Sequence, residues 1–357
     1  MLFNQVIDSK SIALEATNDA SNDIAYLGLG FFPEEKKAGL DLKWIKTHKG
    51  LPVSLAPSNF DALPVIRARE GLKTEKTQMA FFRESMIIKE EDVQEIDRIT
   101  SADDPYLVAA IRSIYDDTNN LVSGAEVVPE RMRMSLLATT NGHPVIGIES
   151  DGVSYAYDYD PSGDYATNHY VKMTQDTDKW SDTTHSTPID DLNAARKALE
   201  KLGRKPKYAL MTSTTFGYLM QNAQVKSAIL AQNSTANIYM TDALVIDAIK
   251  NLTQLTILVY DKMYIDDAGN EAQFYPDGKV TLLPEGPVGR TWFGTTPEER
   301  TARQVANVDV TIYGKGIAVA VKTEYGPPAL TTTTASEIVL PSYEDMDSTY
   351  VLEVANP

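Results

Sequence analysis

The chain has 357 residues, 43% hydrophobic and 23% charged, with 50 acids against 33 bases and a formal charge of −17. At roughly 150 residues per domain this is room for two compact bodies, and the composition is that of a folded chain. The complete lack of cysteine excludes disulfide frameworks, cysteine-held zinc, iron–sulfur clusters and thiol catalysis, while the acidic balance argues against a face that neutralises nucleic-acid phosphates.

The N-terminal stretch reads as a polar arm ending in Tyr26-Leu-Gly-Leu-Gly-Phe-Phe-Pro33, an aromatic patch suited to docking on another surface. It lacks an apolar signal run, and no segment approaches the ~20 apolar residues of a membrane span, so a soluble protein made in the cytoplasm is expected. From Leu63 to Ile88 the pattern is extended, with Leu63–Arg69 meeting Leu72–Met79 across Glu70-Gly71 as a hairpin. Its strands are polar on both faces, so it should lean on another surface.

A helix is signalled at Asp104-Pro105, with Asp104 as N-cap and Pro105 in the first turn. Leu107, Ala110, Ile111, Ile114, Leu121, Val122 and Ala125 form its stripe. Pro129 should kink it or begin a second helix running to about Thr140, where Asn141-Gly142 stops it. Strands follow at Val145–Ile148, around Tyr155, Tyr157 and Tyr159, and at Tyr170–Met173. The next helix starts at Thr187-Pro188 and ends at Gly203, with Ile189, Leu192, Leu199 and Leu202 facing inward. Strand Tyr208–Met211, helices near Phe216–Gln221 and Thr241–Leu252, and strand Thr256–Tyr260 complete an alternating α/β body. Asp267-Ala-Gly-Asn270 and Pro276-Asp-Gly278 are turns between strands, and strands resume after about Val308. The chain should therefore leave one domain, build a second, and return.

No catalytic constellation emerges. His48, His143, His169 and His185 share no metal-ligand spacing. The doublets Asp116-Asp117, Asp190-Asp191 and Asp266-Asp267 sit where helix starts and turns favour acids anyway. Gly28-Leu-Gly30 lacks the third glycine and the preceding strand of a dinucleotide loop, and Gly314-Lys-Gly316 fits a hairpin turn. Neither G-x-S-x-G nor H-E-x-x-H occurs. No cofactor is implied.

Charge is segregated along the chain. Residues 65–83 carry Arg67, Arg69, Lys73, Lys76 and Arg83 against two acids, a balance of +3. Residues 149–191 stand at −8 and residues 330–357 at −5. Composition alone favours solvated faces. The sharper alternative is heterologous self-association, the basic hairpin of one copy lying on the acidic surface of the next.

Several segments in order carry a family likeness: Val65-Ile-Arg-Ala-Arg-Glu-Gly71; Arg131-Met-Arg-Met-Ser-Leu-Leu-Ala-Thr-Thr-Asn-Gly142; Trp180-Ser-Asp182 followed by Pro188-Ile-Asp-Asp-Leu192; Leu258–Tyr264 with Phe274–Lys279; and Gly289–Glu298. In these the chain resembles the lambda-like major capsid protein E family of tailed bacteriophages, which has the Hong-Kong-97 capsid fold. Pro129 departs from an uninterrupted spine helix. The resemblance implies an α+β fold with an N-terminal arm (1–40), an extended E-loop region (41–92), a P domain with a long spine helix (93–180), an inserted A domain (181–305) and a return to the P domain (306–357). It implies a non-enzymatic protein that assembles with itself, as hexamers and pentamers, into an icosahedral shell around double-stranded DNA in the bacterial cytoplasm. Portal, scaffold and decoration proteins are the implied partners. Arg67, Arg69, Lys73, Lys76 and Arg83 are the candidate assembly contacts. The rival within the fold is an encapsulin-like compartment shell; outside it, an α/β enzyme with an unrecognised site.

Overall fold

In the computed structural model, the described residues are 9–10, 25–45, 74–88, 105–150, 153–232, 240–305, 309–324 and 330–356. They divide into two compact units.

The first unit draws on Met1–Leu42, Lys76–Arg133 and Arg290–Ser342. Its sheet runs in the order Glu34–Lys36, Arg290–Phe293, Leu330–Ser342, Ile317–Glu324, Asp309–Tyr313. The thirteen-residue strand Leu330–Ser342 organises it. Strand Ala80–Ile88 pairs antiparallel with its residues 331–339, and Ile317–Glu324 pairs with 330–336. Both therefore engage the same stretch, from opposite edges. Residues 335–340 are buried on both faces of the strand, which only a doubly covered sheet allows. The expected turn at Gly314-Lys-Gly316 joins the antiparallel strands Asp309–Tyr313 and Ile317–Glu324. Helix Pro297–Gln304 is begun by Thr296, whose hydroxyl accepts from the Glu299 amide at 3.2 Å.

The second unit draws on Lys43–Glu75, Met134–Gly289 and Tyr343–Pro357. Its five strands run in the order Tyr170–Lys172, Tyr350–Glu353, Lys279–Pro284, Pro206–Met211, Thr256–Val259. The core comprises Trp180, Leu192, Leu199, Phe216, Leu219, Val245, Ile249, Val280 and Leu282 with their neighbours, contributed by helices Pro188–Lys201, Ser213–Gln221 and Asp242–Thr253 and by the sheet. The segment expected to return from residue 306 onward is split. Strands Asp309–Tyr313 to Leu330–Ser342 join the first unit, while Tyr350–Glu353 lies between two strands of the second unit's sheet.

One alternative and one residue need correcting. Pro129 begins no second helix: the spine helix is one element, Pro105–Ala138, with Pro129 inside it. A proline there removes one backbone bond and crowds the preceding turn at a cost of ~3 kcal/mol. Met132, Met134, Leu136 and Leu137 beyond it are fully buried, and that anchorage keeps the helix going. It ends where Thr139 and Asn141 take positive φ before Gly142. The second correction is Leu202. Helix Pro188–Lys201 buries Ile189, Leu192 and Leu199 as the stripe requires, but Leu202 is its C-cap and is exposed, the chain reversing at Gly203 with φ 77°. Most of the expected hairpin Leu63–Met79 lies outside the described residues. Its described part, Thr74–Gln78, pairs with Asp41–Ile45.

Candidate assembly surface

Of the five basic residues singled out, Arg67, Arg69 and Lys73 lie outside the described residues. Lys76 is well exposed and stands 3.9 Å from Asp41, itself exposed. Arg83 projects from strand Ala80–Ile88. Its guanidinium lies 2.5 Å from Glu298, a largely buried acid, and 4.9 Å from the centroid of the Phe81 ring. Arg83 thus has a partner inside its own chain, whereas the Lys76 pair is open to water and weak.

The acidic side also sorts itself. Between residues 149 and 191, Glu149, Asp158, Asp164, Asp176, Asp178 and Asp190 are exposed. Asp160 is buried and accepts from the Tyr165 amide and the Ser162 hydroxyl, and Asp191 accepts from the Trp180 indole at 2.9 Å. Burial raises the Asp191 carboxyl above its ordinary range, and the Trp180 hydrogen bond offsets this in part. The acids after residue 330 are largely used internally. Glu353 holds Lys172 and the Tyr170 hydroxyl, Asp345 holds Arg204 at 2.9 Å, and Glu337 is fully buried. Of the two acidic stretches, 149–190 therefore keeps the more exposed carboxylates among the described residues.

The most concentrated electrostatics lie in the first unit, around Arg133 of the spine helix. Its Nε donates to Thr291 Oγ1 at 2.8 Å, Nη2 to Glu34 at 2.8 Å and Nη1 to Glu130 at 3.4 Å. Glu130 in turn accepts from the Gly28 amide at 2.9 Å. A Cβ at position 28 would stand 2.5 Å from Glu130 Oε2, so only glycine fits that approach. The end of the aromatic patch at Tyr26–Pro33 is thereby tied down, with Phe31 and Phe32 buried. Burial, reinforced by Glu126 and Glu130, pushes the Tyr26 phenol up. Burial and Glu126 push Tyr313 up to about 12. Charge counting along the sequence missed this node, since Gly28, Glu34 and Thr291 lie about 100 to 160 residues from the Glu130–Arg133 pair they meet. One signal was visible: Glu337 interrupts the apolar run Ala335, Ile338, Val339, Leu340.

The family model for phage major capsid protein E matches residues 13–319. The chain belongs to the phage major capsid protein E family. No curated protein matches the sequence. Among solved structures, a protein assigned as the capsid protein of a prophage in E. coli CFT073 is 16% identical over 98% of this chain and 99% of its own, with a TM-score of 0.57. A phage-related protein from Bordetella bronchiseptica RB50 is 13% identical over 98% of both chains, with a TM-score of 0.56. At such identities the likeness establishes the shared fold, which is Hong-Kong-97-like. A major capsid protein is a structural component of the virion, and its functional surfaces are those that meet other copies.

Proposed function

We propose that this major capsid protein closes an icosahedral shell of hexamers and pentamers around double-stranded DNA. Assembly takes place in the bacterial cytoplasm, with a portal, a scaffold protein and a decoration protein as further partners. Membership of the capsid family over residues 13–319 carries this reading. In it, residues 1–40 are the arm, 41–92 the E-loop region, 93–180 the P domain with its spine, and 181–305 the A domain, with the chain returning toward the P domain from 306. Arg67, Arg69 and Lys73, with Lys76 beside them, would meet the exposed acids between 149 and 190 of a neighbouring copy. Arg83 then serves inside the subunit, fixing the base of the E-loop region to helix Pro297–Gln304 through Glu298. DNA would be held by confinement, without sequence-specific contacts, which suits a chain of charge −17.

Electron microscopy of the full-length protein expressed alone and with its neighbouring head genes tests this. Closed shells of uniform diameter support it. A monodisperse small oligomer under every condition would overturn it. An encapsulin-like shell would instead be distinguished by a co-purifying cargo enzyme.

A further inference from the structure

Strand Leu330–Ser342 places one carboxylate in an apolar setting. Glu337 is fully buried in register with Phe82 of strand Ala80–Ile88, between Ser336 and Ile338 on its own strand. Among the described residues, neither of its carboxylate oxygens has a hydrogen-bond partner. A buried polar group left without a partner is costly, and an ionised one far more so.

The charged groups around it can be named element by element. The spine helix presents Arg133 and Glu126, and strand Glu34–Lys36 presents Glu34. Glu130, one helical turn before Arg133, shares that arginine. On the neighbouring strand, Arg83 is held by Glu298, which also accepts from Ser336. Acids thus outnumber the single available base.

Three agents could neutralise Glu337. Arg133 is one, but its hydrogen bonds go to Thr291, Glu130 and Glu34, and it makes none to either Glu337 oxygen. A metal ion is another, but no three ligating side chains among the described residues come together to hold one. The proton remains. We propose that Glu337 is a proton switch, held as a neutral carboxylic acid whose ionisation loosens strand Leu330–Ser342 from the layers that enclose it.

Burial sets the direction, with the acids Glu34 and Glu126 adding to it and Arg133 opposing: the folded-state carboxyl is raised well above 4.5. The folded state therefore binds the proton more tightly than the unfolded chain. The stability linked to Glu337 is complete below about 4.5 and is lost as pH rises from there through the raised folded value. The affected strand also carries Ala80–Ile88, which leads from the E-loop region. On the reading proposed above, that attachment would be the first to feel alkaline pH.

The test compares full-length wild type with Glu337→Gln, which keeps the shape of the neutral acid and cannot ionise. Thermal midpoints should nearly coincide at about pH 5, and the variant should lead by several degrees by about pH 9. Other titrating groups cancel in the difference. Curves that stay parallel across the range would overturn the proposal, whatever shells the protein forms. Glu337→Met, of similar volume and without an amide, repeats the comparison if the glutamine variant does not fold. Infrared spectroscopy of the wild type reads the group directly. A carboxylic-acid carbonyl band that persists at neutral pH and is absent from the variants supports the switch, and a wild type without that band refutes it.

Discussion

The two units bury charge very differently. The second closes over a core of aliphatic and aromatic side chains in which Trp180, Leu192, Leu199, Leu219 and Val245 are fully buried. Several of its buried hydroxyls are paired: Tyr165 and Tyr343 both meet Thr349 Oγ1, at 2.8 and 2.7 Å, and Tyr275 meets Thr281 at 2.8 Å. The first unit instead encloses Arg133, Glu130 and Glu337 between a helix and a sheet, and Glu337 has no hydrogen-bond partner among the described residues. An apolar core is indifferent to pH and salt, whereas a buried ionic layer stabilises only while its charges balance. The second unit thus rests mainly on apolar burial, and the first on a buried ionic layer whose strength depends more on conditions.

The largest blow to this contrast should come from Arg133→Ala. It leaves Glu34 and Glu130 facing each other without their shared cation, a loss on the order of 3–5 kcal/mol. Hydrogen exchange should then rise in peptides covering 330–342 and 290–293, with those covering 206–211 and 279–284 unchanged. Equal loosening in both sets would dissolve the distinction between the units.

Leu192→Ala is the converse probe. Removing a fully buried leucine from the second unit should cost ~2–5 kcal/mol through lost transfer energy and a cavity. Leu202→Ala, on the same helix but exposed, should fall within ~0.5 kcal/mol of wild type. Urea midpoints of the two variants check this, and a Leu192 variant as stable as the Leu202 one would remove the core assignment.

A smaller effect belongs to His169, the second unit's own titrating group. It is buried, its Nδ1 lies 3.0 Å from the Thr349 carbonyl, and its ring stacks on Tyr165 at 5.1 Å. Burial lowers its pKa below 6.5, against a smaller upward pull from Asp347. The folded state therefore prefers the neutral ring. The linked stability is complete above about 6.5 and is lost as pH falls below it. His169→Gln should flatten the acid side of the pH–stability profile, the opposite end of the scale from Glu337. An unchanged acid limb would show that the ring does not titrate with unfolding.

Local chemistry was legible and long-range chemistry was not. Thr187-Pro188 marks a helix start because proline suits the first turn. Pro105 opens the described part of the spine helix, while Asp104 lies outside the described residues. Gly269 and Gly278 occupy the expected turns with positive φ. Pro129 begins no second helix because anchorage of Met132 to Leu137, invisible to a local rule, outweighs one missing backbone bond. Leu202 fits the helical stripe, but the stripe does not say where the chain turns away. The Arg133 node joins residues from the arm, the spine and the strands after residue 290, so no spacing announces it. The candidate assembly residues form a charge island in the sequence, and of the two that are described Arg83 pairs with the largely buried Glu298 whereas Lys76 pairs only with the exposed Asp41.

That separation gives the smallest effect per subunit and the last test. Arg83→Gln removes an in-chain pair whose arginine is nearly half exposed, so it should cost ~0–1 kcal/mol and leave assembly intact. Arg67→Glu with Arg69→Glu should do the reverse, leaving subunit stability unchanged while opposing the exposed acids of a neighbouring copy. A single exposed ion pair contributes only ~0–1 kcal/mol, but on the assembly proposed above the contact would recur at every subunit interface, and like-charge apposition would add a penalty to each. The double variant should show native circular dichroism and fail to close shells in sedimentation and electron microscopy, and assembly of the wild type should weaken with salt as exposed charges are screened. Normal shells from the double variant, or failed shells from Arg83→Gln, would invert the division between internal and intersubunit charges.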